Sequence, residues 1–374
     1  MSSSQLFCPN IECPARGQIG KNNIGIHDQK KKRYICHVCK RTFSASKGTL
    51  LYRLRTEPKT VLLVIALLVY GCPVQAIVQA FGIDERTVRN WWQRAGMHCQ
   101  AFHEHLLDQS QLELGQVQAD EIKVRTQKGS IWMAMAMMVF TRLWRAGAVS
   151  PNRATSLLHQ MARQVRRIAL CRPLLIAVDG LSTYLSVFRD AFRTGIPRAK
   201  GQTGRMTLVA WSNIAIVQVI KSKQAGLWNI KRMIVQGQQT MIEQIIRTTQ
   251  GNGMINTAYI ERLNATFRQR LACLFRRTRH LARHQATLQT SMYILGCVYN
   301  FCDFHKSLRL RLSVGRNGFR WVQRTPALAA HLTDHRWSLE ELFTIKTPPP
   351  PWIKKQGRGR LPTRLLLRMA RYAL

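Results

Sequence analysis

The run Leu174-Leu-Ile-Ala-Val-Asp179-Gly180 constrains the fold more than any other stretch. Its apolar residues follow one another without the alternation of a half-exposed strand, so the strand has to be buried on both faces. Such a strand lies inside a sheet, and its last side chain emerges at the carboxyl edge, where α/β proteins place their ligands. Here that side chain is Asp179. Around it the pattern predicts an alternating strand over 114–124 that contains Asp120. Two more strands follow over 131–141 and 143–149, then a helix over 152–168. After Asp179 come a helix over 182–192, a strand within 206–220 and a long helical region over 256–302. Glu261 opens that last region, with Asn264 and Arg268 on its face at helical spacing.

The charge balance makes these acids informative. Lys and Arg total 57 against 18 Asp and Glu, a formal net charge of +39. A surplus of that size favours a polyanionic partner, because neutralised phosphates release condensed counterions. Ribosomes and anionic membrane surfaces are the other polyanions. Between Leu114 and Cys302 the only acids are Asp120, Glu121, Asp179, Asp190, Glu243 and Glu261. Taken singly, Asp120 or Asp179 could cap a strand end, and Glu261 could pair with Arg262 or Arg268 on a helix surface. Together they form a set suited to hard divalent cations, which take oxygen ligands. Two such cations can activate a nucleophile and stabilise a leaving oxygen in phosphodiester cleavage.

The amino-terminal part carries different chemistry. Cys8 and Cys13, then Cys36 and Cys39, form two close pairs 22 residues apart. Four thiolates so placed can hold one zinc ion, and a module of some 45 residues with few large apolar groups would hardly fold without such a staple. Lys30, Lys31, Lys32 and Arg33 lie beside the second pair, where they could meet phosphates. Residues 55–96 read as three helices. Pro73 suits a first helical turn, Ala76, Ile77 and Ala80 share one face, Gly82 gives a tight turn, and Asp84 caps a third helix ending at Ala95. Val88 and Trp92 face inward on that helix, while Arg86, Arg89, Asn90 and Gln93 face outward. This is the outer face of a helix-turn-helix that reads a DNA major groove, or else a solvated basic face. Residues 97–113 form a connector whose His98, Cys99, His103 and His105 fit a helix better than a metal site, since His103 and His105 point to different faces.

Several further readings follow. The start of the chain is polar and the longest apolar runs are too short to span a bilayer, which predicts a cytoplasmic protein without membrane contact. Trp211 and Trp228 are core residues or platforms for an unstacked base. Cys171, Cys273, Cys297 and Cys302 read as small core hydrophobes. Arg276, Arg277, Arg279 and Arg283 make the segment after Glu261 a basic helix. The segment 354–360 starts a basic tail.

Three strands, a helix, a strand, a helix, a strand and a helix, with acids on the first strand, the fourth strand and the last helix, make a ribonuclease H-like layout. The stretches Gln118-Ala-Asp-Glu121, Ala177-Val-Asp-Gly180 and 256–270 (NTAYIERLNATFRQR) resemble those of bacterial insertion-sequence transposases of the DDE type. Tyr299, Asn300, His305, Leu308 and Thr325-Pro326-Ala327 resemble the segment that follows the glutamate helix in such enzymes. The resemblance, over about residues 5–345, implies a multidomain chain: a zinc ribbon (1–50), an all-α helix-turn-helix region with connector (55–113), a ribonuclease H-like, integrase-type α/β core with a mixed sheet (114–310) and a basic carboxy-terminal segment (311–374). It also implies Asp120, Asp179 and Glu261 as catalytic ligands of Mg²⁺ or Mn²⁺, structural Zn²⁺ on Cys8, Cys13, Cys36 and Cys39, and DNA contacts from Arg86, Arg89, Asn90, Gln93, Asn264 and Arg268. The partners would be double-stranded DNA and further copies of the chain in a synaptic complex. A non-catalytic regulator binding the same ends, or a ribonuclease H-like nuclease, are the competing readings.

Overall fold

The computed structural model describes residues 6–196, 204–224, 226–251, 253–314 and 318–349. The tail from Lys354 lies outside the described residues. The chain divides into two compact units, Met1–Leu106 with Ser338–Leu374, and Leu107–Trp337.

The first unit opens with a small antiparallel sheet of β1 (Ile24–Asp28), β2 (Arg33–Cys36) and β3 (Thr42–Ser44). Helices α1 (Pro58–Val69), α2 (Val74–Phe81) and α3 (Glu85–Gln109) follow. Gly82 ends α2 with φ of 63°, a left-handed cap open to glycine at little cost. Asp84 starts α3 by accepting the amide hydrogens of Arg86 and Thr87 at 2.9 and 3.3 Å. The expected break after Ala95 is not there. Val88, Trp91, Ala95, Cys99 and Phe102 are all buried and continue one apolar stripe at helical spacing, so the connector is simply more of α3. Trp91, not Trp92, is the core tryptophan, and in α2 only Ile77 is buried while Ala76 and Ala80 are exposed. His98 bonds the Leu342 carbonyl at 2.9 Å, and burial lowers its pKa.

The second unit is built on a six-stranded mixed sheet. In chain order the strands are β4 (Gln116–Thr126), β5 (Gly129–Met138), β6 (Trp144–Ser150), β7 (Leu174–Asp179), the short hairpin β8 (Arg193–Ile196) and β9 (Thr207–Ala210), then β10 (Ile214–Gln224) and β11 (Leu227–Gln236). The sheet order is β11-β10-β7-β4-β5-β6, with β8 and β9 outside it. β7 runs parallel to both β4 and β10, while the β4–β5, β5–β6 and β10–β11 pairs are antiparallel. Helices α4 (Thr155–Ile168) and α5 (Thr183–Ala191) pack on each other, and α6 (Gln239–Gln250), α7 (Ala258–Arg270) and α8 (Gln285–Phe301) follow β11. The long helical region expected over 256–302 is therefore two helices. Arg276, Arg277, Arg279 and Arg283 lie exposed on the irregular segment between them, not on a helix. No described helix is long and apolar enough to cross a membrane.

Among the described residues, the outer edge of β6 is closed by side chains rather than by another strand. Asn300 accepts from the Trp144 amide at 2.9 Å and donates to its carbonyl at 2.7 Å. Gln164 does the same for Gly147, at 3.0 and 2.9 Å, and Gln285 donates to the Val149 carbonyl at 2.8 Å. A primary amide carries the donor and acceptor of a peptide group, so Asn300 and Gln164 each stand in for a residue of a neighbouring strand, and Gln285 supplies the donor alone. Gly296 lets α8 approach this edge, since a Cβ there would lie 2.0 Å from the Trp144 ring.

Beyond α8, Thr325 caps the helix Pro326–Ala329 by accepting the Leu328 amide at 3.2 Å. His305 packs edge-on to Tyr299 at 6.1 Å between centroids. Burial, reinforced by Arg142 and Arg262, lowers its pKa to about 4. The unfolded chain thus binds this proton more tightly than the folded one, and stability present above about pH 6.5 is lost as pH falls toward 4. Replacing His305 by Gln is expected to flatten the dependence of melting temperature on pH between those limits.

Candidate metal centres

Cys8, Cys13, Cys36 and Cys39 bring their sulfurs within 4.8 Å of one another. Two tight turns deliver them. The Gly17 amide bonds the Cys8 carbonyl at 3.0 Å, the Lys40 amide bonds the Cys36 carbonyl at 2.8 Å, and Lys40 takes a φ of 57°. The Cys8–Cys39 and Cys13–Cys36 separations are 3.7 and 3.9 Å. A tetrahedral metal with bonds of about 2.3 Å to sulfur would set such separations near 3.8 Å, so the donor set fits one ion. Burial pushes the Cys8 and Cys13 thiols up. Burial also acts upward on Cys39, but bonds from the Arg41 backbone, Asn10, Cys8 and Cys13 outweigh it and bring that thiol down to about 7. Four thiolates at this spacing repel one another unless a cation lies among them.

The acidic site forms where β4 and β7 run side by side. Side chains alternate along a strand, so Leu175, Ala177 and Asp179 share a face, and the first two pack with Ala215 and Val217 against Ile242, Ile245 and Ile246 of α6. On β4 the same face shows Gln116, Gln118 and Asp120. Gln116 Oε1 accepts from Thr249 at 2.8 Å and from Gln250 at 2.7 Å. Gln118 Oε1 accepts the Tyr259 and Ile260 amides at 3.0 Å each, and its Nε2 donates to the Asn256 carbonyl at 2.7 Å. Gln118 thereby satisfies the open amides of the first turn of α7, the turn that carries Glu261. Replacing Gln118 by Leu strands three backbone groups in a buried place. The expected cost is about 1–3 kcal/mol, read as a fall in melting temperature of about 2–4 °C per kcal/mol.

Asp120, Asp179 and Glu261 therefore line one cavity of about 390 Å³, with Arg153, Gly180, Lys221 and Thr257. Burial, then the neighbouring carboxylates of Glu121, Asp179 and Glu261, raise the Asp120 pKa to about 7. A carboxyl that keeps its proton so far up is one that a cation could relieve. Asp120 Oδ2 accepts from Asn264 Nδ2 at 2.7 Å, and Asp179 Oδ1 accepts from the Leu181 amide at 3.0 Å. Glu261 stands further out. Its carboxylate accepts from the Thr257 hydroxyl at 2.6 Å and is ion-paired with Lys221.

Among the described residues, the carboxylates that converge within 4.8 Å are a different trio, Asp120, Glu121 and Asp179. Glu121 lies on the opposite face of β4 from Asp120, buried, where it accepts from the Tyr184 hydroxyl and is ion-paired with Arg153. Burial and this carboxylate push the Tyr184 hydroxyl well up. Arg153 also reaches within 4.0 Å of Asp179 and lies over the Trp132 ring. Sequence reasoning passed over Glu121. The available signal was a second acid, next to Asp120, in a chain that spends acids sparingly.

The expected DNA contacts divide. Arg86, Arg89, Asn90 and Gln93 are all exposed on α3, with Arg89 ion-paired to Glu85 one turn earlier. Arg268 is half-buried and close enough to Asp120 for its charge to be felt there. Asn264 does not face outward: it is 1% exposed, and its amide is spent on Asp120. Trp211 is buried and donates to Thr194 at 2.7 Å, while Trp228 is 68% exposed. Cys297 and Cys302 are core residues, Cys273 is intermediate and Cys171 exposed. His98, Cys99, His103 and His105 do not converge into a metal-holding group among the described residues.

Compared with known proteins, the chain matches no family model and no curated protein.

Proposed function

We propose that the chain is a DDE-type DNA transposase, binding the ends of an insertion sequence and catalysing metal-dependent strand cleavage and transfer. The observation that carries this reading is the convergence of Asp120, Asp179 and Glu261, from β4, β7 and α7, on one cavity. The order of elements supports it. Three antiparallel strands, a helix, a parallel strand, a helix, a further parallel strand and then the glutamate helix follow the ribonuclease H-like sequence of elements, with β8, β9, β11 and α6 as additions. The four-thiol cluster supports a zinc ribbon, and the capped α3 with its exposed Arg86, Arg89, Asn90 and Gln93 supports groove reading of double-stranded DNA.

Asp120, Asp179 and Glu261 would hold Mg²⁺ or Mn²⁺, which activates a water or sugar hydroxyl and stabilises the leaving oxygen. The chain's own residues orient that set. Asn264 fixes the rotamer of Asp120, the Leu181 amide fixes Asp179, and Thr257 fixes Glu261. Lys221 and Arg153 lie at the cavity as resident cations, suited to the phosphate of a bound strand once Glu261 and Asp179 take other partners. Hydrolysis breaks the bond between phosphorus and the 3′ oxygen at the element end. The freed 3′ hydroxyl then attacks a target phosphodiester, forming one P–O bond as another breaks. Assembly of several copies on paired ends is part of the proposal.

The test uses the full chain, Mg²⁺ or Mn²⁺, and a DNA fragment carrying the inverted repeats that flank the coding region. A product with the fragment's 3′ end joined to a second DNA supports the reading. Nicking without joining points instead to a nuclease, and binding without nicking to a regulator.

A further inference from the structure

The strands on one side of the acidic cavity extend past the sheet. β10 pairs with β7 only as far as Val219 opposite Asp179, yet its pairing with β11 runs on to Gln224 opposite Leu227. Residues 220–224 and 227–231 therefore pair as a two-stranded ribbon that no other described strand flanks, rising from the carboxyl edge where the acids lie. Cross-strand partners share a face, so Lys221 lies with Ile230, and Lys223 with Trp228. This is the face of Val219, which lines the cavity together with Ile220 and Lys221. The ribbon thus leads away from the carboxylates with Lys221 at its base, Lys223 about 7 Å further out and the Trp228 indole 68% exposed beside it. No acid occurs between Asp190 and Glu243, so nothing in the ribbon's own sequence offsets its lysines.

We infer that this ribbon grips unpaired DNA next to the scissile phosphate, with Lys221 and Lys223 on the sugar-phosphate backbone and Trp228 stacked on a base. Charge selects a nucleic acid over a second copy of this chain, whose own surplus is +39. The indole selects a single strand, because paired bases hide their ring faces in the stack while an unpaired base gains by stacking on an aromatic side chain. The assignment deepens the reading of the cavity as a DNA-cleaving site and rests on it for the position of the scissile bond.

The experiment measures binding alone, with the full chain and no added divalent cation. The probes are a short duplex with a single-stranded overhang and the same duplex with blunt ends. Trp228→Ala is expected to weaken overhang binding about tenfold, the scale of one stacked base, and to leave blunt-duplex binding unchanged. Trp228→Phe, which keeps a ring, is expected to restore most of it. Lys223→Ala is expected to weaken both probes and to lower the slope of log affinity against log salt by about one. Equal overhang affinities for the wild type and Trp228→Ala would overturn the inference, as would an equal loss on both probes, which would place the indole on duplex DNA. An unchanged salt slope for Lys223→Ala removes the backbone contact. Because no cleavage is scored, failure of strand joining leaves a positive binding result intact.

Discussion

Asp179→Asn and Glu261→Gln are each expected to lower the rate of DNA joining by about three orders of magnitude or more, while affinity for the element ends stays near that of the wild type. The two substitutions keep side-chain volume and remove one ligand charge. Groups that act as one set lose most of their effect when any member goes, so the single and double variants should be nearly equal. The measurement is single-turnover joining at saturating protein, with end binding followed separately by gel shift. Asp179 is half-exposed, and Glu261 is itself exposed with Thr257 and Lys221 as its partners among the described residues, so neither change opens a core cavity. Joining at wild-type rate in both variants would end the assignment of the triad. Glu121→Gln is a useful companion, since that carboxylate is buried between Tyr184 and Arg153 and its neutral form alters how Arg153 is held near Asp179.

Chelating the zinc proposed for the four-thiol cluster is expected to unfold residues 6–44 outright. Few apolar side chains replace it: the cluster's own buried core is Cys8, Cys13 and Cys36, with Ala15, Ile24 and Cys39 against them. Binding energy of about 10 kcal/mol or more in such modules is folding energy, so loss of one ligand is not graded. Cys36→Ser should expose the β1–β3 segment to limited proteolysis at once and abolish stoichiometric zinc release to a chromogenic chelator. The unit Leu107–Trp337 is compact by itself and is expected to keep its core in the same variant. Persistence of a protease-resistant amino-terminal segment in Cys36→Ser would show that the thiols do not staple it.

How far the sequence announced all this depends on whether burial left a mark. β7 was legible to the residue, because an unbroken apolar run has few other places to go. The Cys pairs were equally plain, since their spacing is itself the geometry. β11 was not legible. Its sequence from Leu227 to Gln236 mixes apolar and basic residues, and most of them face solvent, so no burial period was written into it. α6 did carry a signal, with Ile242, Ile245 and Ile246 at helical spacing, but its polar remainder reads as loop. Trp91 and Trp92 are adjacent, and a one-position error in helix phase exchanged them. Asn264 misled because a polar residue on a basic helix suggests a ligand contact, whereas here it bonds a buried acid. Asn300, Thr325 and His305 belong to the segment that carried the family resemblance. Their described roles are architectural: an edge clamp, a helix cap and a ring packed on Tyr299.

The amide clasps on Trp144, Gly147 and Val149 leave the large sheet with unlike rims. On that rim the backbone groups a foreign strand would need are occupied at three points, while β11, the edge strand at the other rim of the described sheet, has eight of its ten residues exposed. Copies meeting edge to edge would find β11 the more open rim, and pairing there favours a closed, symmetric pair over a growing chain. A runaway ribbon of stacked sheets, the ordinary hazard of an open strand, is denied a place to grow from.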